Sequence, residues 1–179
     1  MNGGGGPQQV KSLILGGTTH GGQTSIPPPS SFFRVFSDWD DASQEAQRSC
    51  LEGFIGYMLP PHFRDRPGGE AMYKIMVNKM LETSKTKDGL AMQTAALSRF
   101  DMSGRLGEVR SPALIVHGSE DKVLDPANGV SIATNMDPSL ARLEVLPGAG
   151  HFWWAQNPIK TAALLVDFLI ENDEQNDGA

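Results

Sequence analysis

Several things are scarce in this sequence, and each scarcity excludes something. There is one cysteine, Cys50. No disulfide can form within the chain, and a lone thiol fits a reducing compartment. Positive charge is outnumbered: 15 lysines and arginines stand against 21 aspartates and glutamates, for a net charge of −6. No basic stripe is present to hold a phosphate backbone, which excludes nucleic acid as a partner. No apolar run approaches the roughly 20 residues of a membrane span. No charged segment followed by an apolar one opens the chain, so a secretory leader is not expected. The expectation is a cytoplasmic protein with no membrane partner. The four histidines show no metal-ligand spacing, so no metal is expected. No internal repeat is present.

What remains is ample for one domain with a core: 179 residues, of which 39% are hydrophobic. The informative stretch runs from Ser111 to Trp154. Two β-favouring runs, Ala113–Val116 and Leu143–Leu146, each end in a glycine-containing turn. The first turn offers Asp121 and the second His151. Strands alternating with helices imply a parallel sheet, in which the loops at the carboxyl ends of the strands lie side by side. An acid and an imidazole on neighbouring loops can meet there. A carboxylate beside a histidine orients the ring, fixes its tautomer and stabilises the imidazolium. Such a pair is a general base that needs a nucleophile. Glu120 competes with Asp121 for the histidine. Asp125, before Pro126, reads instead as a helix N-cap.

The rest of the chain is read around this stretch. Residues 1–9 are glycine-rich and expected to be flexible. Val10–Leu15 is a short strand, followed by the glycine-rich turn Gly16–Gly22. That turn lacks the Gly-Lys-Ser/Thr ending of a phosphate loop and does not run directly into a helix. His20 within it reads as a solvated loop residue. A Pro/Ser linker spans 23–31. Helices are expected at Asp41–Tyr57, Gly69–Thr83 and Lys87–Phe100. In the second, Met72, Met76 and Met80 recur every four residues beside Tyr73 and Val77. That amphipathic stripe reads mainly as core. Part of it, Met76 above all, is also a candidate to line an apolar substrate pocket, because methionine surfaces adapt to varied ligands. His62, between chain breakers, reads as structural or exposed. A helix is expected at about 127–136. A final helix starts near Asn157 and Pro158. Its apolar face, Ile159, Ala162, Ala163, Val166, Leu169 and Ile170, is spaced to pack on the sheet. Residues 172–179 are acidic and polar, and are expected to be disordered.

These motifs carry a resemblance. PALIVHGSEDKVLDP resembles the seventh strand and catalytic-acid loop of the α/β-hydrolase family. LEVLPGAGHFWWAQNP resembles its eighth strand and catalytic-histidine loop, and VKSLILGGTTHGG its sixth strand. The resemblance covers roughly Val10 to Glu171. It implies an α/β fold: a partial hydrolase sheet of about three parallel strands, built from 10–25 and 106–171, with flanking helices. Residues 26–105 fall where family members insert a helical cap. Asp121 is then the catalytic acid and His151 the catalytic base. Trp153, just past the histidine, joins Met76 as a substrate-binding candidate. No cofactor is implied. The implied ligand is a small apolar ester, lactone or related acyl compound.

One part of the family pattern is missing. The nucleophile elbow, G-x-S-x-G, should precede the sixth strand, and it occurs nowhere in the 179 residues. The oxyanion-hole donors belong to the same absent half. Ser119 and Ser12 do not sit on a strand-to-helix elbow and are poor substitutes. In a related triad, losing the nucleophile alone costs about a million-fold in turnover. The isolated chain is therefore expected to be inactive. A sixth strand without its neighbour leaves an unpaired backbone edge. Self-association, or docking of a separate N-terminal half, is expected along Val10–Leu15. A non-catalytic ligand- or partner-binding module and a truncated gene product are the alternatives.

Overall fold

The computed structural model describes residues 10–36, 39, 43–82 and 87–177. Three strands, β1 (Leu13–Gly16), β2 (Ala113–Gly118) and β3 (Ala141–Leu146), form one parallel sheet in the order β1-β2-β3. Leu13 is opposite Ala113, and Ala113 is opposite Ala141. Among the described residues, five α-helices separate β1 from β2, α1 (Ser30–Arg34), α2 (Gln44–Met58), α3 (His62–Asp65), α4 (Gly69–Glu82) and α5 (Lys87–Arg99), followed by a single 3-10 turn at Leu106–Glu108. Then α6 (Ala127–Asn135) connects β2 to β3, and α7 (Trp153–Gln156) and α8 (Pro158–Asp177) close the chain. The nine-residue stretch 1–9, expected to be flexible, lies outside the described residues.

β2 is central, and the whole of it is buried. A strand covered on both faces reads as a continuous apolar run rather than an alternation, as ALIV does. Ala113 and Ile115 face α6, where they meet Ile132 and Met136. Leu114 and Val116 face α8, where they meet Ala149, Trp153 and Phe168. The helices α2 to α4 carry a core of their own from Leu51, Ile55, Met58, Phe63, Tyr73 and Val77. That core extends to Val123, Leu124 and Phe152, in the loops that follow β2 and β3. The helical segment therefore sits on the carboxyl ends of the strands. Ser43 caps α2 by accepting from the Ala46 N–H at 3.2 Å, so the helix starts a few residues later than expected.

The final helix corrects two expectations. The side chains that α8 turns inward are Thr161, Leu164, Leu165, Phe168 and Asn172. The stripe expected to pack on the sheet points outward: Ile159 is 82% exposed, Val166 51% and Ile170 52%. Both stripes have helical spacing, and a helix lying on one sheet can turn only one of them toward it. The helix also continues through 172–177, where the acidic tail was expected to be disordered. Lys11 holds Asp173 at 2.7 Å, and the Asn172 amide donates to Phe168 O at 2.7 Å. Residues 178 and 179 lie outside the described residues.

The outward stripe gives a first prediction. Replacing Val166 and Ile170 together by lysine is expected to leave stability within about 0.5 kcal/mol per site, as for surface positions. It is also expected to reduce self-association, since exposed apolar patches drive it. Thermal unfolding and light scattering check both. A loss of several kcal/mol would mean that these side chains face the core.

Candidate active site

Three strand ends build the site. The loop after β2 carries Asp121 and the loop after β3 carries His151, and backbone hydrogen bonds stitch the two together. Ser119 N donates to Leu146 O at 3.0 Å, and Glu120 N to Ala149 O at 2.8 Å. Gly148 N donates to the Ser119 hydroxyl at 2.9 Å. The seam requires glycine at the end of β2. A Cβ on Gly118 would lie 2.3 Å from Ala149 O and 2.4 Å from Gly150 O. The helical segment braces the histidine loop from above, where Phe152 N donates to Met58 O at 2.9 Å. Gln156 ties it from within, accepting from Gly150 N at 2.6 Å and donating to Gly148 O at 3.2 Å. The end of β1 supplies the floor, since Gly17 lies against the His151 ring.

The seam brings the acid and the imidazole together. His151 Nδ1 is 2.8 Å from Asp121 Oδ2. The carboxylate is fully buried, whereas the imidazole is 18% exposed. Asp121 Oδ1 accepts from the Val123 and Leu124 N–H groups at 2.8 and 2.9 Å. Burial alone would push the Asp121 pKa up. Hydrogen bonds from His117 and His151, the charge of His151 and the Leu124 N–H outweigh burial and hold it well below the usual carboxylate range. An ionised carboxylate only accepts, so His151 Nδ1 carries the proton. The lone pair is left on Nε2, which has no hydrogen-bond partner among the described residues. An imidazole in this state can take a proton from a hydroxyl or a water.

The other candidates are sorted by where the fold places them. Glu120 turns away from the histidine toward solvent and stands 3.8 Å from the exposed His62. Asp125 accepts from Ala127 N at 2.8 Å and caps α6. His20 was expected to be a solvated loop residue and is buried instead. It is 2% exposed, with Nδ1 2.7 Å from Gly21 O and Nε2 2.8 Å from the Ser131 hydroxyl. The turn that carries it is clamped against α6, where Asn128 also bonds Ile26 N and O. Met76 is partly buried against the core of the helical segment. Trp153 is buried between the sheet and α8, with its ring against Gly16. Its edge also lines a separate cavity of about 450 Å³, beside Arg66, Glu144 and Lys160. Neither Asp121 nor His151 is among the walls of that cavity. Among the described residues, no group of three or more His, Cys, Asp or Glu side chains is placed to hold a metal ion. No described helix is long and apolar enough to cross a membrane.

One residue of the site was missed in the sequence. His117, on β2, places Nε2 3.1 Å from the same Asp121 Oδ2 that meets His151. Its signal was a histidine ending a strand that is otherwise wholly apolar.

Comparison with solved structures identifies the architecture. The chain superposes on the enol-lactonase from Burkholderia xenovorans with a TM-score of 0.70 at 18% identity, over 89% of this chain and 56% of that one. It superposes on an esterase from Exiguobacterium antarcticum with a TM-score of 0.68 at 23% identity, over 91% of this chain and 58% of that one. The fold is that of the α/β-hydrolases. Sequence similarity to curated hydrolases agrees. The rat monoacylglycerol lipase ABHD6 is 33% identical over 81 residues, 44% of this chain and 23% of that protein. A 2-hydroxy-6-oxo-6-phenylhexa-2,4-dienoate hydrolase from Burkholderia cepacia is 37% identical over 82 residues, 45% of this chain and 27% of that protein. The matched region thus spans about a quarter of these relatives, whose lengths well exceed it. No family model matches the chain.

Proposed function

We propose that Asp121 and His151 are the acid and base of a hydrolytic site for a small ester, lactone or related acyl substrate. The observation that carries this reading is the 2.8 Å contact between the buried, ionised Asp121 and His151 Nδ1, which frees Nε2 as a base. His151 takes the proton of an attacking hydroxyl as it adds to the acyl carbon, and returns it to the leaving oxygen. It then activates the water that releases the acid, while Asp121 stabilises the imidazolium throughout. The similar proteins named as monoacylglycerol lipase, enol-lactonase and esterase support an acyl substrate. The helical segment over the strand ends is the part that shapes substrate choice.

The sequence has no G-x-S-x-G elbow to carry the attacking hydroxyl. On this reading, a second polypeptide segment supplies the nucleophile and the oxyanion donors. Two surfaces support docking of that segment beside β1. Leu13 N and Gly17 N donate to Pro112 O and Val116 O of the neighbouring chain segment. The alternate groups, at Ile14 and Gly16, therefore face an edge that is unpaired among the described residues and can accept another parallel strand. The outward stripe of α8 offers apolar cover for an accompanying helix.

The test is hydrolysis of p-nitrophenyl esters by the chain alone, and by the chain refolded with the N-terminal half of a monoacylglycerol lipase relative. The expected result is no turnover above buffer alone, and turnover in the mixture. Activity of the chain by itself would place a nucleophile within these residues. A stable complex that stays inactive would remove the acid–base reading. In that case, the alternative of a binding module is tested by ligand-induced thermal shifts.

A further inference from the structure

We propose that His117 is a positioning residue for the Asp121–His151 pair, holding the carboxylate at the angle from which it accepts the hydrogen bond of His151 Nδ1–H. The inference rests on the acid–base reading of that pair.

His117 is fully buried, and its Nε2 lies 3.0 Å from Leu124 O and 3.1 Å from Asp121 Oδ2. Both neighbours only accept, so Nε2 carries a proton and shares it between them. Nδ1 is buried without a partner. Buried polar atoms are normally satisfied, and an exception asks for a reason. Packing alone does not supply one, because an aliphatic residue would suit this apolar strand without burying an unpaired nitrogen.

The geometry of the carboxylate supplies the reason. Of its four donors, the Val123 and Leu124 N–H groups belong to the same loop as Asp121 and move with it. His151 is the group to be oriented. His117 is the donor rooted in the sheet, on the central strand. The carboxylate is a rigid plane, so the two loop donors on Oδ1 set its orientation only relative to the loop they share with it. The His117 N–H fixes Oδ2, and the fixed oxygen aims the His151 ring. A slot is provided for the imidazole, since a Cβ on Gly129 of α6 would come within 3.0 Å of His117 Nδ1.

Long-range ¹H–¹⁵N spectra of the histidine rings in the full chain test this. The wild type is expected to show a downfield, slowly exchanging Nδ1 proton on His151, and Asp121→Asn to lose it. His117→Phe is expected to move that resonance toward free imidazole and to speed its exchange at least ten-fold. His117→Gln, whose amide N–H occupies the place of Nε2, is expected to restore it to within two-fold of wild type. Gly129→Ala crowds His117 without changing its chemistry, and is expected to give an intermediate exchange rate. A folded His117→Phe chain with an unchanged His151 signal would overturn the proposal. If that variant does not fold, Gly129→Ala decides: faster exchange supports the role, and an unchanged signal overturns it. A wild-type Nδ1 proton that is absent, or indifferent to Asp121→Asn, would sink the pair itself and the role of His117 with it.

Discussion

On the proposed reading, replacing His151 by alanine in the active assembly with an N-terminal half is expected to lower ester turnover about a million-fold, as loss of a triad histidine does elsewhere. The size follows from the position of the ring. Asp121 cannot act as the base, because it is fully buried and its oxygens are occupied by other donors. No other described imidazole points Nε2 away from a partner beside this carboxylate. The fold is expected to survive the change. His151 is partly exposed, and Asp121 keeps the Val123, Leu124 and His117 donors when the ring is gone. Stability is expected to fall by about 1.5–3 kcal/mol, the usual cost of one lost hydrogen bond to a charged group. Steady-state kinetics on a p-nitrophenyl ester, together with a urea melt, separate the two effects. Retention of activity within ten-fold would show that His151 is not the base. In a unit that acts together, losses do not add, so combining His151→Ala with loss of the nucleophile is expected to cost little beyond either change alone.

The strands and the acid–histidine pair were legible because local chemistry and topology agree there. A β-favouring run, a glycine turn and one reactive side chain recur after β2 and β3, and a parallel sheet brings such turns together. What was not legible depends on partners far along the chain. The sequence of α8 holds two apolar stripes, Leu164–Leu165–Phe168 and Ile159–Val166–Ile170, and period alone cannot say which one a narrow sheet will cover. His20 looked like a loop residue, because nothing near it in sequence announces the Ser131 hydroxyl 111 positions away. Trp153 looked like a residue of the binding site because it follows the histidine. Instead the histidine loop turns into α7, and the indole is buried under Gly16. His117 was hidden for the opposite reason. A strand buried on both faces is read for its apolar content, and the one polar residue in it is easily passed over.

Asp121→Ala is expected to destabilise the chain by about 3 kcal/mol or more, since each buried donor left unsatisfied costs roughly 1–3 kcal/mol. The substitution leaves the Val123 and Leu124 N–H groups and two imidazole N–H groups without the oxygens that now receive them. It also cuts a link between the β2 and β3 loops. The same carboxylate makes stability depend on acid, in a direction set by linkage. Burial opposes ionisation of Asp121 in the folded chain, but the His117 and His151 hydrogen bonds, the His151 charge and the Leu124 N–H win, and its folded pKa lies below the value of 3.8 for a free aspartate. Between the two values the unfolded chain binds a proton that the folded chain does not. The stabilisation is therefore fully present above about pH 4, and it is lost as the pH falls toward the depressed folded value. Urea melts at pH 6, 4 and 3 measure this directly. Wild-type stability is expected to drop on the acid side more steeply than that of Asp121→Asn, whose side chain does not titrate. Parallel curves for the two chains would mean that this carboxylate is not held in its charged form by the histidines around it.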